Sequence, residues 1–249
     1  MVQVSAVEAM TARVTGAVRS AAARTGVDFS YLMAQARVES GLNPAARART
    51  SSASGLFQFT AATWLETVRK HGAEHGLGWA ADAIGAGVAG AGSAARATIL
   101  SLRDNADAAA LMAGEFAADN GAALATKLQR AVGATDLYMA HFLGAGGATR
   151  FLKTLQSAPE TAAAALFPAA AAANRSAFYA RDGAARSVAD VYARFAAKLG
   201  AGDSPAPPAS PPPSRPAQFG SALPVSGNAL PVAADRARLA YLLLAELGA

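Results

Sequence analysis

Between positions 36 and 64 the chain reads ARVESGLNPAARARTSSASGLFQFTAATW, and Glu39 is the one acidic residue in that stretch. A single carboxylate beside a hydroxyl-rich loop limits the chemistry. A glycosidase working through a protein nucleophile needs two carboxyl groups about 5–5.5 Å apart, and an inverting one spaces them wider. Residues 40–65 supply no second acid, and Glu66 lies one to two turns into a separate helix. A lone acid suffices where the substrate brings its own nucleophile, as in substrate-assisted cleavage of N-acetylated sugars. Glu39 would protonate the leaving glycosidic oxygen while the 2-acetamido oxygen stabilises the oxocarbenium ion. Acting next as base on the sugar's 6-hydroxyl, it would close a 1,6-anhydro ring without consuming water.

Such an acid has to carry its proton near neutral pH. Burial raises a carboxyl's pKa, and catalytic glutamates are commonly tuned to about 6–7. The negative end of a helix dipole acts in the same direction. The competing reading of Glu39 is a surface acid near Arg37 or Arg47.

The elements that must hold Glu39 are helical. Residues 5–24 read as a first helix ending at Gly26. Asp28 is an N-cap for FSYLMAQARVES, in which Leu32, Gln35, Ala36 and Glu39 share one side. That helix stops at Gly41 with Pro44 beyond it, so Glu39 falls in its last turn. Thr60 caps the helix AATWLETVRKHG. Further helices are expected at 105–120, 122–131, 135–143, 147–156, 160–173 and 187–199, with a glycine-rich connection over 85–93. No segment alternates like a strand, so the fold class is all-α.

Nine of the twelve prolines fall between positions 205 and 231. The spacing divides the chain into a helical domain over 1–200, a semi-rigid proline-rich linker over 201–231 and an amphipathic C-terminal helix over 232–249. Leu239, Leu242, Leu243 and Leu247 crowd one side of that last helix, which is expected to dock a protein partner.

Alanine supplies much of the 53% hydrophobic content, and aromatic residues make up 7% of the 249 positions. The 22 basic and 17 acidic residues leave a net charge of +5, which suits an anionic polymer such as a cell wall. No basic run with interleaved aromatics points to nucleic acid. The absence of cysteine excludes disulfides, thiol catalysis and Cys-ligated zinc. His71 and His75 stand at i,i+4 beside Glu74, but Gly72 and Gly76 weaken that helix. The pair is read as a solvated helix end, and no metal or other cofactor is expected. The first twenty residues lack a basic region followed by an apolar core, so no signal peptide is read. No stretch is apolar enough to span a bilayer.

Glu39-Ser40, Asn43-Pro44, the Ser/Thr-rich stretch and Gly55-Leu56-Phe57-Gln58 together resemble the signature of the soluble lytic transglycosylase (SLT) domain family. The family pattern is Glu-Ser, Asn-Pro, Gly-Leu-Met-Gln and later Ala-Tyr-Asn-Ala-Gly. Glu39 and Gln58 are 19 positions apart, close to the family's spacing, and Phe57 replaces the Met. Thr60 to Trp64 fits the helix start that follows. YMAHFLGAGGA (138–148) departs further: Ala140, His141, Gly144 and Gly146 align, and His141 stands at the family's Tyr. The resemblance is specific over 36–64, moderate over 100–150 and absent after about 200.

The resemblance implies a goose-type-lysozyme-like helical fold and cleavage of the MurNAc–GlcNAc β-1,4 bond of peptidoglycan, outside the cytoplasm in the periplasm or wall of a bacterium. Glu39 would be general acid and then base. Ser40, Ser54, Gly55 and Gln58 would position the N-acetyl sugar, Phe57 would wall the cleft, and His141 would orient Glu39. Histidines titrate near pH 6.5, so that contact would depend on pH. Trp79 and Phe142 are read as core aromatics more readily than sugar-stacking ones, and Glu115 as a solvated acid. The readings kept beside this one are a hydrolytic muramidase of the same fold and a non-catalytic wall-binding or assembly protein. A local role in wall remodelling for an envelope-spanning assembly would explain the tail.

Overall fold

The computed structural model describes residues 2–49 and 51–200 of the chain. Among them the regular structure is helical, with only isolated β-bridges such as Arg47 to Ser54 and Ser54 to Phe59. The all-α expectation holds. The linker over 201–231 and the C-terminal helix over 232–249 lie outside the described residues.

Helix α1 (Val2–Thr25) runs along α6 (Ala106–Leu128), which in turn packs on α7 (Ala134–Ser157). Helix α2 (Phe29–Ser40) lies against α1, α6 and α11 (Val188–Leu199). Helix α3 (Ala61–His71) continues into a 3₁₀ turn over Gly72–His75, then α4 (Gly78–Gly85), α5 (Ala94–Ser101) and a second 3₁₀ turn over Leu102–Asp104. Three short helices, α8 (Ala163–Leu166), α9 (Pro168–Ala173) and α10 (Arg175–Phe178), lead to α11. None of the described helices is long and apolar enough to cross a membrane.

The caps read from the sequence form as expected. Asp28 accepts from the Tyr31 N–H at 2.8 Å, and Thr60 accepts from the Thr63 N–H at 3.1 Å. Each bond satisfies an N–H that the helix's first turn leaves without a partner. Gly41 ends α2 in the left-handed conformation (φ 61°), and its N–H returns to the Arg37 carbonyl. Leu32, Gln35, Ala36 and Glu39 all face inward, as their spacing predicts.

Three departures have physical causes. Residues 105–131 form one helix to Leu128 rather than two, because packing against α1 and α7 outweighs the roughly 1 kcal/mol that Gly121 costs relative to alanine. The segment expected as one helix over 160–173 breaks at Phe167, before Pro168, whose ring disfavours helical geometry in the preceding residue. Helices α4 and α5 are additional, the second capped by Ser93.

Helix α7 is two helical segments joined across a kink at Gly144, where φ is 73° and ψ is 161°. That geometry is strained for any residue with a Cβ, and it explains why the sequence reads as two helices over 135–143 and 147–156. Phe142, just before the break, is 1% exposed and lies 5.0 Å from the Phe195 ring and 6.1 Å from that of Phe178. It is a core residue. Trp79 is not: it is 50% exposed on α4.

Candidate active site

Glu39 sits in the last turn of α2 and is 2% exposed. Its two oxygens have different surroundings. Oε1 accepts a hydrogen bond from the Tyr138 hydroxyl at 3.1 Å and faces His141 Nε2, also at 3.1 Å. Oε2 is buried and has no hydrogen-bond partner. Tyr138 and His141 are three residues apart on α7, so they point from one face of that helix toward α2. Burial first, then the charge of Glu39, pushes the Tyr138 hydroxyl well above the ordinary phenol range. Tyr138 therefore remains a proton donor. Burial and Glu39 raise the Tyr31 hydroxyl on α2 in the same way.

The expected contact from His141 is present, and Tyr138 adds a second that the motif alignment overlooks. Substituting His for the family's Tyr looks like loss of a tyrosine. One helical turn earlier another tyrosine donates to Oε1. The missed signal was the i,i+3 spacing of Tyr138 and His141.

A supporting frame holds α7 in position. Asp136, 1% exposed, accepts from the Gly133 N–H at 3.0 Å, from Arg130 at 2.6 Å and from the Tyr192 hydroxyl at 3.0 Å. It thereby joins the start of α7 to α11. From α11, the Phe195 ring lies 5.4 Å from Tyr138. Phe195 also lines a cavity of about 320 Å³ with Ala177, Val191, Arg194, Ala197 and Lys198. Burial lowers the Lys198 ammonium below the usual lysine range, and the charge of Glu39 opposes that shift. The cavity wall thus carries a cation that feels the candidate acid. Lys198 and Tyr31 were not foreseen as groups that feel the charge of Glu39.

The loop after α2 is tied to that helix by Ser40. Its hydroxyl donates to the Leu56 carbonyl at 2.8 Å and accepts from the Asn43 N–H at 3.1 Å. The Gly-Leu-Phe-Gln turn therefore abuts the residue next to Glu39. Within it, Gly55 has φ 82°, and an added Cβ would meet the Arg103 carbonyl oxygen at 1.9 Å. Gly55 also donates its N–H to the Ala46 carbonyl at 2.8 Å. Gln58, likewise at positive φ (47°), donates Nε2 to the Gly55 carbonyl at 2.8 Å. Ser54 donates to Asp104 Oδ1 at 3.1 Å, and Arg47 pairs with the same carboxylate.

Ser40, Ser54, Gly55, Phe57 and Gln58 are brought together, but their bonds run within the loop and to its scaffold. Phe57 corrects the expectation of a cleft wall: at 1% exposure it is a core side chain. An apolar residue between a left-handed Gly55 and a left-handed Gln58 is turned inward, where it adds to the hydrophobic core.

Two other expectations are overturned. His71 is 8% exposed, and only 4% of the His75 side chain is exposed, so they are no solvated helix end. Glu115, expected in solvent, is 7% exposed and lies between them. Helix α6 covers the end of α3, and that packing is not visible from the local i,i+4 spacing.

The fold and the buried acid define a lysozyme-like helical domain. Residues 16–83 match the transglycosylase SLT domain family, a segment that contains Glu39 and the 54–58 turn and ends before α7. Over that segment the chain is similar to the soluble lytic transglycosylase family. The match points to a lytic-transglycosylase type of activity on peptidoglycan, an extracytoplasmic polymer.

Proposed function

We propose that the protein is a peptidoglycan lytic transglycosylase that cleaves the MurNAc–GlcNAc β-1,4 bond and leaves 1,6-anhydroMurNAc, with Glu39 as its one catalytic carboxyl. The observation that carries this reading is the asymmetry of Glu39. Oε1 is held by Tyr138 and His141, while Oε2 has no hydrogen-bond partner. Donors fixed on one oxygen orient the carboxyl and leave the other to carry and deliver a proton.

Oε2 gives its proton to the glycosidic oxygen as the C1–O bond breaks, and the GlcNAc 4-hydroxyl departs. The substrate's acetamido oxygen stabilises the cationic C1. The Glu39 carboxylate then takes the proton from the MurNAc 6-hydroxyl as O6 bonds to C1, which restores the acid and closes the anhydro ring. General acid–base transfer of this kind typically supplies about 10²–10⁴-fold in rate. A second acid would be required for a protein nucleophile, and none of the ionic or hydrogen-bonded partners of Glu39 is a carboxylate.

The side chains of Ser40, Ser54 and Gln58 serve in this reading as the frame of the turn beside Glu39, against whose backbone the N-acetyl sugar rests. Lys198 and Arg194 suit the carboxylates of peptidoglycan stem peptides. A periplasmic or wall location in a bacterium follows from the substrate. The proline-rich segment serves in this reading as a spacer, and the leucine-rich one recruits a protein of an envelope-spanning assembly that needs a local opening in the wall.

The test is mass spectrometry of purified sacculi digested with the protein. Anhydro-muropeptides support the reading. Reducing MurNAc ends instead would make the protein a muramidase of the same fold, and intact sacculi would make it a non-catalytic wall-binding protein.

A further inference from the structure

The end of α3, the 3₁₀ turn Gly72–His75 and α6 bring His71, Glu74, His75, Glu115 and Asp119 together. One ligand atom each from His71, Glu74 and Glu115 lies within 4.8 Å of the other two. The side chains of His71, His75 and Glu115 are 10%, 4% and 9% exposed, and Glu74 is exposed at the rim. The catalytic reading uses none of these groups.

The orientation of His71 is the informative feature. Its Nε2 lies 2.9 Å from Asp119 Oδ2, an oxygen that also accepts from Lys70 at 2.7 Å. A carboxylate accepts only, so the ring proton belongs on Nε2. That tautomer leaves a lone pair on Nδ1. Nδ1 is buried, makes no hydrogen bond, and stands 3.3 Å from Glu115 Oε2. Two lone-pair-bearing atoms facing each other at this distance repel unless a proton or a metal cation lies between them. In a tetrahedral zinc site with bonds of 2.0–2.1 Å, neighbouring ligand atoms are about 3.3 Å apart.

The surroundings of these atoms have the form that metal sites require. Asp119 accepts from the far nitrogen of His71, and such a partner fixes the tautomer and ring orientation of a metal-bound imidazole. His75 Nε2 lies 2.7 Å from Glu115 Oε1 and so holds the oxygen that does not face His71. We propose that His71 Nδ1, Glu115 Oε2 and the Glu74 carboxylate bind a divalent transition-metal ion of the zinc class, with water as the fourth ligand. An imidazole nitrogen with two carboxylates suits zinc, whereas calcium and magnesium prefer oxygen-only sites. His75 and Asp119 are positioning residues. The ion bolts the Gly72–His75 turn to α6, and it enters from the exposed Glu74 side.

The experiment uses the full chain after dialysis against a chelator, titrated with zinc chloride in a calorimeter and melted with and without the metal. We expect one zinc per chain with Kd in the micromolar range or tighter, and no response to magnesium chloride. At a hundredfold excess over Kd the Tm should rise by roughly 5–10 °C. Glu74→Gln keeps the size of the exposed side chain and removes its charge, so it should weaken zinc at least tenfold. Asp119→Asn should weaken zinc about 10–100-fold. Glu39→Gln should bind zinc as the parent does, which separates this site from the Glu39–His141 pair. Absence of zinc heat and of any Tm shift overturns the proposal. So does parental affinity in both Glu74→Gln and His71→Ala. In either case the His71 ring is a plain ion-pair partner of two carboxylates.

Discussion

Tyr138 and His141, one helical turn apart on α7, converge on a single oxygen of Glu39, each at 3.1 Å. The other oxygen of the same carboxyl is buried with no hydrogen-bond partner. Contacts to one oxygen orient the carboxyl, and the proposed mechanism leaves the catalytic proton to the other.

Glu39→Gln removes the transferable proton but keeps an oxygen for Tyr138 and His141. Turnover of purified peptidoglycan should fall by at least about 10²-fold while the helical circular dichroism and Tm stay near the parent values. A variant retaining more than roughly a tenth of the activity would remove Glu39 from the role of acid.

Tyr138→Phe and His141→Ala each leave one donor on Oε1. Either change should lower kcat more than it raises KM, and the double variant should lose less than the product of the single losses, because both act through one oxygen. His141→Tyr should recover much of the His141→Ala loss. Equal and independent losses in a double-mutant cycle would show that the two side chains do not share a function.

Asp136 holds α7 at the depth from which Tyr138 and His141 reach Glu39. Asp136→Ala strands the Gly133 N–H, Arg130 and the Tyr192 hydroxyl. Arg130 is 34% exposed and recovers solvent, so the expected loss is about 2–3 kcal/mol rather than the larger cost of a fully buried pair. Urea unfolding checks the figure, and a change below about 0.5 kcal/mol would refute the framing role.

Gly55→Ala places a Cβ where the Arg103 carbonyl oxygen stands and asks alanine to adopt φ 82°. The backbone must shift, and stability should drop by about 2–4 kcal/mol, with activity lost in step because Leu56 is bonded to Ser40 beside the acid. A fully active and stable Gly55→Ala would mean that the turn is not fixed by this contact.

Deletion of 204–249 should leave activity on purified peptidoglycan and the Tm nearly unchanged, while abolishing capture of a protein partner. A large fall in Tm would assign the terminal leucines to the core and refute the docking role.

The sequence by itself determined the features that obey local rules. Asp28 and Thr60 cap helices, Gly41 ends α2, and Glu39 therefore sits in a last turn facing inward, because capping and helical periodicity act within a few residues. The lone acid and the Gly-Leu-Phe-Gln turn were legible for the same reason. Tertiary structure alone decided what meets across the chain. Tyr138 is 99 residues from Glu39, and its hydroxyl arrives only because α7 packs between α6 and α11 with Asp136 pinning its start. His71, His75 and Glu115 look solvated one by one and become a buried cluster because α6 lies across the end of α3. Phe57 reads as a surface for sugar and is core, since apolar area removed from water outweighs any local preference at that position.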